Sequence, residues 1–340
     1  MKILVLGTGA QGTTVAKRLD EEPGVSSIIC ADYNTEAVNE LTGILTKAKG
    51  MKCDAYNVDE IINCAQGVDL IVNALPLEFG KNVLDAALAV KANYQDFSST
   101  TAFDEDVNIG WIRGMKYQFE VYSPKFEEIG RLAIIGTGSA PGVICCATRD
   151  AMKYLDTCDT IYNFVWEGVK ANRFQPFWWS PETAIQDMSE PAYTYENGEL
   201  FVRPPFEDPV KRKYDYMDHE VTFLNHCHDE PVQYALNADK YFKGCKNAYF
   251  KYAGTGMDFA EPLYRAGLFD HEEREIKSRK VVPFDVIVES IPKPPKFEEE
   301  IREIIEEGME ADDGCMVVEA YGKKDGKDIL VENHVFAPGI

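Results

Sequence analysis

An apolar run, Lys2–Leu6, gives way at once to Gly7-Thr8-Gly9-Ala10-Gln11-Gly12, and an amphipathic helical pattern, Thr13–Leu19, follows. A second apolar run, Ser27–Ala31, ends in Asp32. Strand, glycine turn, helix and strand-ending acid at this spacing constrain the start of the chain to a parallel βαβ unit. Each part has a task in holding a dinucleotide. Gly7 permits the tight turn, Gly9 lets the backbone approach a pyrophosphate, and Gly12 lets the helix pack close to the sheet. Ala10 and Gln11 open the helix, whose unpaired N–H groups and dipole favour the anion. Asp32 lies 20 residues after Gly12, where a carboxylate accepts from a ribose 2′-OH and repels a 2′-phosphate. No Arg follows it, so the expected cofactor is NAD rather than NADP.

A chain of 340 residues suits two domains. The first is expected over 1–142, as a doubly wound parallel sheet, and the second over 143–340. A net charge of −22 leaves no basic stripe to displace counterions from phosphates, which argues against a nucleic-acid partner. No apolar run is long enough to span a membrane. The strand at Lys2 leaves no room for a signal peptide, so a cytoplasmic protein is expected. The chain is expected to continue beyond Ile340, because Pro338-Gly339 reads as a turn. The nine cysteines form no CxxC, and reduced, buried thiols without a metal are the expectation.

Through residue 142, short apolar strands alternate with helical patterns. Strands are expected at Ile3–Leu6, Ser27–Ala31, Lys52–Asn57, Leu70–Ala74, Asn93–Phe97 and Leu132–Ile135. Helices are expected at 11–20, 34–47, 58–66, 79–91 and 116–129. The second domain reads as α/β (α+β) with a mixed, largely antiparallel sheet. Its strands include Thr160–Glu167, Val221–Leu224 and Ala248–Tyr252. Hairpins turn at Asn197-Gly198 and Lys324-Asp325-Gly326.

Ligands of such a sheet bind beyond the carboxyl ends of its strands. Asn73, Leu75 and Pro76 follow the fourth strand, where the nicotinamide half would lie. Asp96 ends the fifth, ahead of Ser98-Ser99-Thr100. Gly138-Ser139-Ala140-Pro141-Gly142 follows the sixth, and Gly138, Ser139 and Pro141 are candidates for cofactor and substrate contact. In the second domain, Glu167 ends a strand facing a cleft. Trp178 and Trp179 are expected to divide between core and site, beside Arg173 as a carboxylate clamp. Asn225-His226-Cys227-His228-Asp229-Glu230-Pro231 joins a strand to a helix; His226 and His228 suit proton transfer. Asp229 suits either a substrate ammonium or the helix N-cap, with the cap preferred.

The motifs VLGTGAQG, DLIVNALP at 69–76, IIGTGSAPGV at 134–143, WWSPETAIQDM at 178–188, HDEPV at 228–232 and VVPFDVIV at 281–288 together resemble the saccharopine dehydrogenase family, most closely its lysine-6-dehydrogenase-like branch. The resemblance spans essentially the whole chain. It implies a Rossmann domain, a second domain that dimerises through its sheet, and NAD(P)-dependent oxidation or reduction at the C–N bond of an amino acid such as lysine or saccharopine. Asp96, Glu167, His226 and His228 are then the expected proton-handling residues. The alternatives are a homospermidine- or carboxynorspermidine-synthase-like enzyme that keeps its NAD bound, and a dinucleotide sensor without turnover.

Overall fold

A computed structural model describes residues 1–98, 107–311 and 313–336, with side chains omitted over 107–111. Ser99, Thr100 and the terminal turn at Pro338-Gly339 lie outside the described residues. The chain divides into two compact units, Met1–Val143 and Ile144–Ile340.

The first unit alternates strand and helix. In order it contains β1 (Lys2–Leu6), α1 (Ala10–Glu21), β2 (Ser27–Asp32), α2 (Thr35–Ile44), β3 (Ala48–Lys52), α3 (Val58–Cys64), β4 (Leu70–Asn73), α4 (Gly80–Val90), β5 (Asn93–Asp96), α5 (Val107–Tyr117), α6 (Ser123–Glu128) and β6 (Ala133–Ile134). The sheet runs β3-β2-β1-β4-β5-β6, all parallel, with the order reversing at β1. β1 lies between β2 and β4 and is buried along Ile3–Leu6, which is why its sequence is a continuous apolar run. Ala16, Ile28 and Leu41 pack on one face, and Ile61, Leu84 and Tyr94 on the other.

Two boundaries differ from expectation. The third strand is Ala48–Lys52, not Lys52–Asn57, because the Asn57 side chain caps α3 by accepting from Asp59 N at 3.1 Å. The second helix stops at Ile44, because Asp20 captures the amides of Thr46 and Lys47 at 3.0 and 2.7 Å. The helical stretch expected at 116–129 is the end of a longer one: α5 passes through a π-turn at Gln118–Tyr122 into α6.

The second unit comprises α7 (Val143–Ala151), β7 (Thr157–Glu167), β8 (Lys170–Ala171), α8 (Pro181–Ser189), β9 (Ala192–Glu196), β10 (Glu199–Arg203), β11 (Val210–Arg212), β12 (Val221–Asn225), α9 (Glu230–Leu236), α10 (Ala238–Tyr241), β13 (Asn247–Gly254), α11 (Thr255–Arg265), β14 (Arg274–Ile276), β15 (Arg279–Val281), α12 (Pro283–Ser290), α13 (Glu298–Glu307), β16 (Met309–Ala311), β17 (Gly314–Lys324) and β18 (Lys327–Phe336). Its main sheet runs β10-β9-β13-β7-β17-β18, and β12 joins β13 and β11. Among the described residues of this sheet, only β13 and β7 pair in parallel, from Asn247 opposite Thr160 to Gly254 opposite Glu167. The remaining pairings are antiparallel, so the sheet is mixed and largely antiparallel. Both expected hairpins form, with left-handed Asn197 and Gly198 in one turn and Asp325 and Gly326 in the other.

Phe164, Phe223 and Val317 form part of the core around β7. Within it, Glu319 is 2% exposed and fully satisfied by partners. Arg212 donates to its carboxylate at 2.7 and 2.9 Å, and the hydroxyls of Tyr214 and Tyr321 donate at 2.9 and 2.7 Å.

Candidate functional site

In the first unit, α1 begins after Gly9, which brings no capping side chain to the helix N-terminus. The three glycines differ in their surroundings. A Cβ on Gly12 would stand 1.9 Å from the Gly7 carbonyl oxygen, and space beyond Gly9 is open to 4 Å. Gly12 therefore serves close packing, and Gly9 leaves room for approach. Ala10 is half-buried and Gln11 exposed on the first turn.

Asp32 braces this loop. Its Oδ2 accepts from Thr8 N at 2.7 Å and Thr8 Oγ1 at 3.1 Å, and its Oδ1 accepts from Asn34 N at 2.9 Å. An uncapped helix start, open space above a glycine and a fixed carboxylate at the next strand end fit a dinucleotide.

The other strand-end candidates divide. Asn73 is buried; its Oδ1 accepts from Leu75 N at 3.2 Å, while its Nδ2 donates to Tyr94 at 3.2 Å. It shapes the turn, Leu75 packs against the core, and Pro76 stands exposed. Asp96, expected to handle protons, is 4% exposed. It accepts from Tyr94 Oη at 2.7 Å and from Gly136 N at 2.7 Å, while its carbonyl accepts from Thr137 N at 3.0 Å. The structure thus uses Asp96 to fasten β5 to the loop after β6. In that loop Ser139 is exposed, Pro141 is buried, and Gly138 accepts from Val143 N at 3.0 Å.

The second unit gathers a histidine and carboxylate cluster. The segment after β12 crosses over β13. His228 stacks on Phe250 with ring centroids 4.0 Å apart, and His226 stacks on Tyr252 at 4.8 Å. The two imidazoles lie 5.6 Å apart. Cys227 N donates to the Asp187 carbonyl at 3.1 Å, which ties this segment to α8. Lys251, fully buried in β13, donates to Asn225 Oδ1 at 2.7 Å and so pins the strand end just before His226.

His228 Nδ1 meets Glu230 Oε2 at 2.5 Å and stands 3.8 Å from Asp229 Oδ1. Burial pulls the imidazole down, but Glu230, Asp229 and Asp187 together outweigh it and push His228 up to about 9. His226, 2% exposed, is held well below its ordinary range by burial, with the charge of His228 adding to the effect. Burial raises the carboxyls of Asp187, Glu190 and Glu167; the hydrogen bond from Tyr252 Oη partly offsets this at Glu167. Ligand atoms of His228, Asp229 and Glu230 lie within 4.8 Å of one another, as close as metal ligands stand. In this structure His228 Nδ1 and Glu230 Oε2 are engaged with each other.

Several expectations are corrected. Asp229 does not cap α9: it already has helical backbone angles, and its side chain accepts no capping bond. Arg173 is not a free clamp, because Glu307 holds its guanidinium in a two-point ion pair at the surface. Of Trp178 and Trp179, expected to divide between core and site, neither is a fully buried core residue. Both are half-buried, and Phe177, 2% exposed, is the core anchor of that segment. Trp178 Nε1 is nonetheless buried, with no hydrogen-bond partner among the described residues. Ser180 does cap α8, accepting from Thr183 N at 3.3 Å.

Tyr252 and Asp187 escaped the sequence reading. Tyr252 sits two residues before the end of β13, and Glu167 ends β7; only the parallel register brings them together. With His228 charged, Glu230 and Asp229 beside it and further carboxyls behind, the cluster can hold an ammonium or guanidinium group. It can also pass a proton at His228 or at the Tyr252–Glu167 pair.

Residues 3–120 match the family model described as the saccharopine dehydrogenase NADP binding domain. A carboxyaminopropylagmatine dehydrogenase from Synechocystis is 24% identical over 313 residues, 88% of this chain and 74% of that protein. A carboxynorspermidine synthase from Vibrio alginolyticus is 24% identical over 348 residues, covering 96% and 79%. The apo saccharopine dehydrogenase (L-Glu forming) of Saccharomyces cerevisiae shares the fold with a TM-score of 0.63 at 13% identity, covering 99% of this chain and 85% of that one. The resemblance to the saccharopine dehydrogenase family therefore holds in the first unit by sequence and over both units by fold. The first unit is a nicotinamide-dinucleotide-binding domain of an oxidoreductase family. Among the described residues, no helix is long and apolar enough to cross a membrane.

Proposed function

We propose that this chain is an NAD-dependent oxidoreductase acting at the C–N bond of an amino acid or a carboxylated amine. The observation that carries the reading is the surplus of carboxyl groups around His228 in the second unit. Such a cluster suits a substrate with at least one ammonium or guanidinium group. The names of the two bacterial relatives, each joining a carboxyl group to a polyamine or agmatine, support an amine of that kind beside lysine and saccharopine.

Gly7, Gly9, Gly12 and the start of α1 would hold the pyrophosphate, and Asp32 the adenosine ribose. A carboxylate there favours NAD. A bound nicotinamide would exchange hydride with the carbon that bears nitrogen. In the oxidative direction that leaves an imine, which water hydrolyses to carbonyl and amine. Asp229 and Asp187 would hold the cationic end of the substrate. His228 Nε2 would give or take the proton at nitrogen, and the Tyr252–Glu167 pair would serve the attacking water. Pairing of two copies through the second unit's sheet is part of the same proposal.

The test is reduction of NAD and NADP, in parallel, with basic amino acids, saccharopine and carboxylated polyamines. Turnover with NAD and one of these amines is the expected result. Turnover with NADP alone would remove the role given to Asp32, and silence across the panel would sink the dehydrogenase reading. The synthase name of the Vibrio relative favours one second reading, in which NAD stays bound through oxidation and re-reduction. Cofactor that survives gel filtration without net reduced nicotinamide would mark that case.

A further inference from the structure

Four of the nine cysteines stand in two pairs that the proposed chemistry does not use. In the second unit, Cys158 lies near the start of β7 and Cys245 just before β13. The parallel register sets Thr160 opposite Asn247, so two residues back on each strand Cys158 faces Cys245. The ladder continues past the strand end, with Lys246 N donating to Asp159 O at 3.0 Å and Cys158 N to Lys243 O at 3.1 Å. Both sulfurs sit over the same carbonyl ladder, Cys245 Sγ 3.7 Å from Asp159 O, the residue after Cys158. Cys245 Sγ also donates to Asn247 O at 3.1 Å and Cys158 Sγ to Tyr321 O at 3.6 Å, which fixes both sulfurs.

The first unit repeats the arrangement. Cys53 follows β3 and Cys64 closes α3, and Cys64 Sγ donates to Lys52 O at 3.8 Å, the carbonyl of the peptide that joins Lys52 to Cys53. All four residues are at most 4% exposed. For Cys158 and Cys245, adjacent strands lie about 4.8 Å apart, within the Cα separations of about 4.4–6.8 Å that a disulfide spans.

We propose that each pair is a dithiol that closes to an intramolecular disulfide when a small peroxide reaches it. One thiolate attacks the O–O bond of hydrogen peroxide and becomes a sulfenic acid, releasing hydroxide, which the thiol proton converts to water. The second thiol then attacks that sulfur, the S–O bond breaks, and a second water leaves. Two thiols are oxidised, one peroxide is reduced, and two waters form. Closing Cys158 to Cys245 would ring the stretch that carries α8 and His226–Glu230. It would also tie the starts of the two strands whose ends hold Glu167 and Tyr252. The oxidised chain should therefore resist unfolding better than the reduced one.

The test uses the full chain, first reduced and then exposed to hydrogen peroxide, with remaining thiols alkylated and the protein digested without reductant. The expected products are peptides linked through 158–245 and 53–64, each two hydrogens lighter than its parts and reverting with dithiothreitol. A rise in Tm of about 5–10 °C should accompany them. Cys146, which is exposed, reports that the oxidant acted. Cys245→Ser and Cys64→Ser should each abolish one linked peptide and leave the other. If Cys146 oxidises while all four paired cysteines are recovered alkylated, or as sulfinic acids, the proposal is wrong.

Discussion

His228 Nδ1 lies 2.5 Å from Glu230 Oε2, two residues further along the chain, and Glu230 is fully buried at the first turn of α9. This carboxylate gives the largest push, ahead of Asp229 and Asp187, in holding the imidazole charged against the pull of burial. Glu230→Gln keeps the shape and removes the charge. His228 should then fall by at least about one pH unit from about 9, read by NMR titration of its ring protons. The alkaline limb of the activity profile should move with it. An imidazole that still titrates near 9 would place the cause elsewhere.

The same pair makes stability depend on pH. His228 is raised in the folded chain from its ordinary 6.5 to about 9. Its contribution is therefore fully present below about 6.5 and is lost as pH rises through about 9. That contribution is on the order of 3 kcal/mol. Urea midpoints should fall across this window in the wild type and stay flatter in Glu230→Gln.

Tyr252 donates its hydroxyl to Glu167, whose carboxyl burial already pushes up. Tyr252→Phe removes the hydrogen bond that holds that carboxyl down, so Glu167 should rise further. The acid limb of kcat should shift upward while far-UV circular dichroism stays unchanged. A profile identical to wild type would remove the pair from proton transfer.

Glu319 shows what an ion pair inside this sheet is worth. Arg212→Met leaves a carboxylate that is 2% exposed with two tyrosine hydroxyls and no cation. Denaturant unfolding should report a loss of about 3–5 kcal/mol, and adding Glu319→Gln should recover a large part of it.

Asp32→Ala removes both the brace on the glycine loop and the acceptor proposed for the ribose. NAD affinity by calorimetry should weaken about 10- to 100-fold, a loss of about 1.4–2.8 kcal/mol. NADP should lose less. Equal losses for both would reduce Asp32 to loop support.

The first unit was legible because its signals are local. Gly7, Gly9, Gly12 and Asp32 are fixed by one turn and one strand end, and the buried parallel strands read as unbroken apolar runs. The edge strand Ala48–Lys52 misled because it is half-exposed and carries two lysines and a glycine. In the second unit the sheet type and both hairpins could be read, but the cluster could not be fully placed. Tyr252 resembles any strand tyrosine until β13 is set beside β7, and Asp187 any helix acid until α8 meets Cys227. Arg173 lost its expected task to Glu307, a partner far along the chain that spacing cannot reveal.

The parallel pairing of β7 with β13 has a kinetic meaning. Two neighbouring strands running the same way cannot be joined by a tight turn, and here β8, α8, β9–β12, α9 and α10 intervene. The chain must gather all of these before the two strands can meet, which is a costly loop to close. The residues that would hold substrate ride on that loop, so substitutions among them should mainly hasten unfolding rather than slow the search for the fold.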